Sequence, residues 1–123
     1  MRDADSRIIE AIEDLIEANR AARQVMCSAE AILQEGIERL RAGEQISKTL
    51  AEGSTGSQRQ ATQEANERIA DARHTLRLVL IGRCLDEGMR SWEIADAWGM
   101  SRQRVDRYIQ EIKRGSEDVD HAS

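Results

Sequence analysis

Residues 101–114 carry polar side chains of the kind that hydrogen-bond to nucleic-acid bases. If this segment is a helix, at 100° per residue its apolar residues fall on one side, namely Val105, Tyr108, Ile109 and Ile112. The other side then carries Arg102, Gln103, Asp106, Arg107, Gln110, Lys113 and Arg114, and Ser101 stands at the N-terminal end of the segment. Arg pairs with guanine and Gln with adenine through two hydrogen bonds, while Lys and Arg also neutralise phosphates. These eight residues are therefore a candidate surface for double-stranded DNA.

The residues before this face match the pattern of a helix-turn-helix. Such a motif needs a small residue where two helices cross, a glycine in a left-handed turn, and apolar residues that join the helices. Here Ala95 and Gly99 fill the first two roles. The joining residues are Ile94, Trp98, Met100, Val105 and Tyr108. Ser91 and Ser101 are the predicted N-caps of the two helices.

A preceding helix is predicted from Gln58 to about Glu87, with Gly88 as its C-cap. It is expected to supply the third side of a trihelical core through Leu76, Val79, Leu80 and Cys84. Trp92 and Trp98 are expected to pack in the core or at its rim. His74 is expected at the surface of this helix, without a cluster of carboxylates around it.

Residues 74–114 resemble the trihelical DNA-binding domains of the sigma-factor region-4-like type, especially those of small actinobacterial regulators. The matching residues are Trp92, Glu93, Ile94, Ala95, Gly99, Ser101, Arg102 and Gln103. The resemblance covers about a third of the chain and implies DNA binding, but not a particular target site. In this docking mode the N-terminal residues of the second helix lie closest to the bases, and Lys113 and Arg114 lie nearer the DNA backbone.

The N-terminal half predicts a long helix over residues 4–52. Steps of four and three from Ile8 mark a coiled-coil seam. Its positions are Ile8, Ile12, Leu15, Asn19, Ala22, Met26, Ala29, Leu33, Gly36, Leu40, Gly43, Ser47 and Leu50. Flanking apolar residues widen the stripe, which favours a helical hairpin or a larger bundle. Gly43 either permits close helix approach or ends the helix early. Residues 53–57 form the clearest break.

The composition agrees with helices throughout, because the chain has no proline and only three aromatic residues. Its net charge of −5 at first argues against nucleic acid. The charge is segregated, however: residues 1–67 carry −5, residues 68–114 carry +3, and residues 115–123 carry −3. The basic stretch coincides with the predicted DNA-binding segment.

Several classes of function are disfavoured. No nucleophile–base pair, phosphate-binding loop or cluster of metal ligands is found, so we expect no enzyme, no metal and no cofactor. Cys27 and Cys84 are far apart in the sequence and are predicted to be free thiols. No apolar run approaches the roughly 18 residues of a membrane span. The expected location is cytoplasmic and nucleoid-associated.

The sequence thus predicts an all-α protein with three parts. Residues 1–67 form a helical oligomerisation arm, residues 68–114 form the DNA-binding domain, and residues 115–123 form a flexible acidic tail. The expected function is that of an oligomeric transcriptional regulator (a dimer or higher) that inserts residues 101–114 into the major groove. Two alternatives are an adaptor or scaffold that docks a protein, such as a component of the transcription machinery, and an architectural DNA binder of low specificity.

Overall fold

All regular secondary structure in the described part of the chain is helical. A computed structural model describes the backbone of residues 3–53 and 55–122, and the side chains of residues 5–53 and 56–116. Its five helices are α1 (Asp3–Arg41), α2 (Ile46–Glu52), α3 (Thr55–Asp86), α4 (Ser91–Trp98) and α5 (Arg102–Ala122). The predicted all-α class is therefore confirmed. None of the helices in these ranges is both long and apolar enough to cross a membrane.

The first helix ends at Arg41, so the predicted helix over residues 4–52 is divided in two, and of the two roles considered for Gly43 the structure shows the early helix end. Gly43 adopts a φ of +90°, which a residue with a Cβ rarely adopts. The Gly43 N–H donates to the carbonyl of Leu40 at 3.0 Å, and the Glu44 N–H donates to that of Arg39 at 3.1 Å. These two bonds form a Schellman motif, which satisfies carbonyls that the helix end would otherwise leave unpaired.

Arg39 links the end of α1 to the short helix α2. Its guanidinium donates two hydrogen bonds to the Glu44 carboxylate and a third, at 2.6 Å, to Glu52 Oε2. Hydrogen bonding to Glu44 raises the pKa of Arg39, and the same contact lowers the pKa of Glu44. Helix α2 contributes no buried residue, so this ion-paired connection is prominent among its contacts.

The described residues divide into two compact units. One contains residues 14–72 and comprises most of α1, all of α2 and the first part of α3. Within it, α1 turns a face made largely of small residues inward, with Ala18 and Ala22 buried. Val25 on this face accepts a hydrogen bond at its carbonyl from Gln58 Nε2 of α3, at 3.0 Å.

The buried face of α1 differs from the predicted seam. In this unit its partly or fully buried residues are Leu15, Ala18, Ala21, Ala22, Val25, Ala29, Ile32, Gly36 and Arg39. The predicted seam alternated between this face and its neighbour, so its members Asn19, Met26, Leu33 and Leu40 are exposed. Short alanine side chains permit close packing of helices, which favours burial of the alanine-rich face. Ala61, Ala65 and Ala72 of α3 lie on its covered side.

The other unit contains the described residues among 1–13 and 73–123. Its core consists of Ile81 from α3, Ile94 and Ala95 from α4, and Val105 and Tyr108 from α5. Partly buried residues packed against this core include Leu78, Cys84, Leu85, Met89, Met100, Ile109 and Ile112.

The predicted contribution of α3 to this core requires correction. Ile81 is its centre, and of the four predicted residues only Cys84 belongs to the packed cluster. The reason is that residues 76–85 are all partly or fully buried, so α3 is covered on more than one side. The first turns of α1 belong to this unit: Asp5 forms an ion pair with Arg83 at 3.5 Å, and Ala11 is buried. The sequence had placed these turns with the arm.

The C-terminal segment is helical as far as Ala122. The predicted acidic tail, residues 115–123, thus begins inside α5. Its three acidic side chains lie outside the described residues, so its flexibility stays a prediction.

Candidate nucleic-acid interface

A glycine turn connects α4 to α5. Gly99 has a φ of +70°, and the N–H of the next residue, Met100, donates to the carbonyl of Ala95 at 3.0 Å. Position 99 therefore has the left-handed conformation that its sequence pattern predicted. Because the turn is short, the start of α5 is held directly against the end of α4.

The two helix starts differ in how they are capped. Ser101 is the N-cap of α5, as predicted, since its Oγ accepts a hydrogen bond from the Arg104 N–H at 3.2 Å. Ser91 is not the N-cap of α4. That position belongs to Arg90, whose N–H donates to the Glu93 carboxylate at 3.1 Å. A glutamate three residues into the helix thus satisfies the N-cap N–H, which is half of a capping box.

Because the apolar side of α5 packs against the core, its polar side faces solvent. Val105 and Tyr108 are buried, and Ile109 and Ile112 pack against the same core. The eight predicted contact residues are exposed, namely Ser101, Arg102, Gln103, Asp106, Arg107, Gln110, Lys113 and Arg114. The structure thus places all of them at exposed positions, seven on α5 and Ser101 immediately before it.

The exposed face is basic and uncompensated. It carries four basic groups and one acid, a net of +3. Among the side chains that the structure describes, no ion pair engages Arg102, Arg107, Lys113 or Arg114, and Asp106 forms none either. The basic groups therefore need not break an internal ion pair before they bind an anion.

The two tryptophans contribute little to the core. Trp98 lies at its edge, where it lines a cavity of about 190 Å³ together with Cys84 and Met89. Trp92 is 53% exposed, so its predicted packing in the core or rim is wrong. At 100° per residue Trp92 lies on the side of α4 opposite Ile94, which faces the core.

Sequence reasoning missed a cluster of side chains beside this face. A cavity of about 260 Å³ is lined by His74 of α3 and by Arg104, Arg107, Tyr108 and Glu111 of α5. His74 Nε2 lies 2.9 Å from Glu111 Oε1, and its ring centroid lies 5.3 Å from that of Tyr108. The histidine is part of the α3–α5 contact, although it remains near the surface, as expected.

The same cluster positions α5. Arg77 of α3 donates from Nη1 to the Tyr108 hydroxyl at 3.3 Å, so two polar contacts join α3 to the middle of α5. Arg104 is exposed beside them and adds a basic group near Arg107. The helical period could have identified Arg104 from the sequence. At 100° per residue, Arg104 falls between Arg107 and Tyr108, at the rim of the polar face.

The remaining described residues that could bind a metal ion or react as nucleophiles are few. They contain no group of three or more His, Cys, Asp or Glu side chains placed to hold a metal ion. Both cysteines are free, and burial raises the pKa of Cys84, with a smaller contribution from the nearby Glu87 charge.

The chain was compared with known protein families, proteins and structures. No protein-family model, curated protein or solved structure matches the chain.

Proposed function

We propose that this chain is a sequence-specific DNA-binding protein and that it acts as a transcriptional regulator. In this proposal α4, the Gly99 turn and α5 form a helix-turn-helix, and α5 enters the major groove. The observation that carries the proposal is the exposed face of α5, whose basic groups have no ion-pair partner among the described side chains. A surface of this kind binds phosphates without losing internal ion pairs.

Position along α5 assigns the roles. Residues in the first turns of a recognition helix approach base edges, so Arg102, Gln103 and Arg107 read the sequence, with Ser101, Asp106 and Gln110 beside them. Lys113 and Arg114 lie further along and contact the DNA backbone. Arg104, at the rim, contacts a phosphate flanking the same groove.

The N-terminal helices join two copies in this proposal. A single small module that makes a few basic contacts binds weakly, and its binding falls steeply with salt. Linking two modules raises the effective concentration of the second and allows two half-sites to be read.

The test begins with selection of bound sequences from random DNA, which yields a site and its half-site spacing. Anisotropy titrations with that site then compare two double variants that each remove two exposed arginines. We expect Arg102→Ala with Arg107→Ala to weaken binding at least tenfold, because each bidentate base contact contributes about 1–3 kcal/mol. The control, Arg59→Ala with Arg68→Ala on α3, loses the same charge and should bind almost as the parent does.

Two results would contradict the proposal. One is the absence of binding by the parent protein at low salt. The other is equal loss in the two double variants, which would mean that net charge rather than the α5 face governs affinity. Selection that yields no preferred sequence would instead support the architectural alternative.

A further inference from the structure

Helix α1 exposes a second apolar face beside its buried one. In the unit of residues 14–72, the exposed positions 16, 19, 23, 26, 30, 33, 37 and 40 each follow a covered position by one residue. Five of these eight are large and apolar, with between 43% and 68% of each residue exposed: Ile16, Met26, Leu33, Ile37 and Leu40. We call these five residues the outer stripe.

Helix α2 extends the outer stripe. Ile46 and Leu50 are each more than half exposed, and they line a cavity of about 420 Å³ together with Ile37 and Leu40. Leu33 lines the same cavity, so these exposed apolar side chains are adjacent, and large exposed apolar patches mark interaction sites. Because the eight exposed positions of α1 are spaced alternately by three and four residues, the partner that this face fits is another helix.

The distribution of charge along α1 identifies that helix. Residues 3–17 contain six acids and one arginine, whereas residues 18–41 contain four arginines and three glutamates. A second copy of α1 lying parallel would place the acidic stretches side by side. A copy lying antiparallel and centred near Met26 separates the two acidic stretches and places residues 11–17 opposite residues 35–41, which contain two arginines and two glutamates, so the like-charge repulsion is lower.

The charged residues among the eight exposed positions, Arg23 and Glu30, also favour the antiparallel orientation. When two antiparallel copies are centred near Met26, Arg23 of each lies within about one helical turn of Glu30 of the other. The symmetry produces this contact twice. In the same arrangement the apolar residues at 33 and 37 lie opposite Ile16. A parallel pair would instead oppose Arg23 to Arg23 and Glu30 to Glu30.

We propose that the outer stripe is a homodimer interface, at which α1 of a second copy packs antiparallel. This inference rests on the dimer in the proposed function and adds its face and its orientation. The two-fold axis then crosses α1 near Met26, and the interface is isologous, since each copy presents the same residues to the other.

Analytical ultracentrifugation of the full chain tests the face. The parent protein is expected to be a dimer at tens of micromolar. Leu33→Glu should raise the dimer dissociation constant at least 100-fold, because it introduces a charge at the most exposed of these apolar positions. Gln24→Glu adds the same charge at an exposed position outside the stripe and should leave the dimer intact. Circular dichroism of both variants checks that helix content is unchanged.

Cross-linking tests the orientation. Arg20→Cys and Gln34→Cys are made separately in a chain that also carries Cys27→Ser and Cys84→Ala, and a short bismaleimide is added. An antiparallel dimer should cross-link strongly only when the two variants are mixed. A parallel dimer would cross-link each variant with itself and would overturn the proposed orientation.

The outcomes separate this inference from the proposed function. A parent that is monomeric, or a Leu33→Glu variant that remains dimeric, overturns the interface even if DNA binding and its dependence on Arg102 and Arg107 are observed. A dimer with the expected orientation but no DNA affinity leaves the interface standing and overturns the proposed function.

Discussion

At the scale of single residues, Gly99 controls the turn on which the α5 face depends. Its φ of +70° disfavours any residue with a Cβ, although no atom lies within 4 Å of where that Cβ would be. The cost of a side chain there is therefore backbone strain and not a clash. We expect Gly99→Ala to lower the free energy of unfolding by about 1–2 kcal/mol, as measured by urea denaturation.

Gly36→Ala is the matched control for this substitution. Gly36 lies inside α1 and likewise has no atom within 4 Å of the added Cβ. Because alanine favours helix, the variant should be more stable by roughly 0.5–1 kcal/mol. If both substitutions changed the free energy of unfolding in the same direction, the left-handed conformation of Gly99 would not be the cause of its effect.

The two cysteines are expected to differ in reactivity because they differ in burial. Cys27 is exposed, whereas Cys84 is partly covered and burial raises its pKa. A raised pKa means less thiolate at neutral pH, and the thiolate is the nucleophile. Iodoacetamide should therefore alkylate Cys27 first, and peptide mass spectrometry of a time course measures the order. Faster modification of Cys84 would show that the α3–α4 contact opens readily.

At the scale of helices, the start of α5 depends on one serine hydroxyl. Ser101→Ala removes the hydrogen bond to the Arg104 N–H and should cost about 1 kcal/mol of stability. Ser91→Ala is the control, because Arg90 and not Ser91 is the N-cap of α4. Thermal unfolding should show a lower Tm for the first variant and little change for the second. A comparable decrease in Tm for both variants would show that Ser91 also acts as an N-cap.

The connection between α1 and α2 should respond to acid. Arg39 lowers the pKa of Glu44 in the folded protein, so the pairing stabilises the fold above the ordinary pKa of glutamate. It is lost as the pH falls through the lowered value, because the carboxylate is then protonated. We expect Glu44→Gln to lower Tm at pH 7 and to converge with the parent in acid.

Glu35→Gln, at an exposed position without an ion pair among the described side chains, is the comparison. Its Tm should follow the parent at both pH values. A Glu44→Gln variant that retained the parent Tm at pH 7 would show that the Arg39 contacts do not hold α2.

At the scale of the whole molecule, the separation of charge should govern binding. The chain carries −5 overall, yet its DNA affinity is expected to fall as salt rises, because the α5 face releases counterions from phosphates. Each phosphate contact contributes a slope of about −0.9 in log affinity against log salt. Lys113→Ala with Arg114→Ala should therefore reduce the slope by nearly two units per copy.

Lys48→Ala with Arg59→Ala removes the same charge from the other unit and serves as the control. Anisotropy titrations over a range of salt concentrations measure both slopes. Equal reductions would mean that long-range charge, and not phosphate contact by α5, produces the salt dependence.

Much of the candidate site could be predicted from the sequence because the signals are local. Gly99 and Ser101 act through hydrogen bonds within a few residues of themselves. The exposed side of α5 follows from the 3.6-residue period once Val105 and Tyr108 face a core. The all-helical class follows in the same way from composition and spacing. The turn and the cap depend only on neighbouring residues, and the α5 face depends on the rest of the chain only through that core.

Only the tertiary structure decided which faces are covered and by what. Periodicity marked α1 as apolar, but packing within residues 14–72 chose the alanine-rich face and left Leu33 exposed. Ile81 became the centre of the other core because the first turns of α1 also cover α3. His74 meets Glu111 from 37 residues away. Contacts between residues far apart in the chain leave no local pattern, since each depends on how whole helices pack.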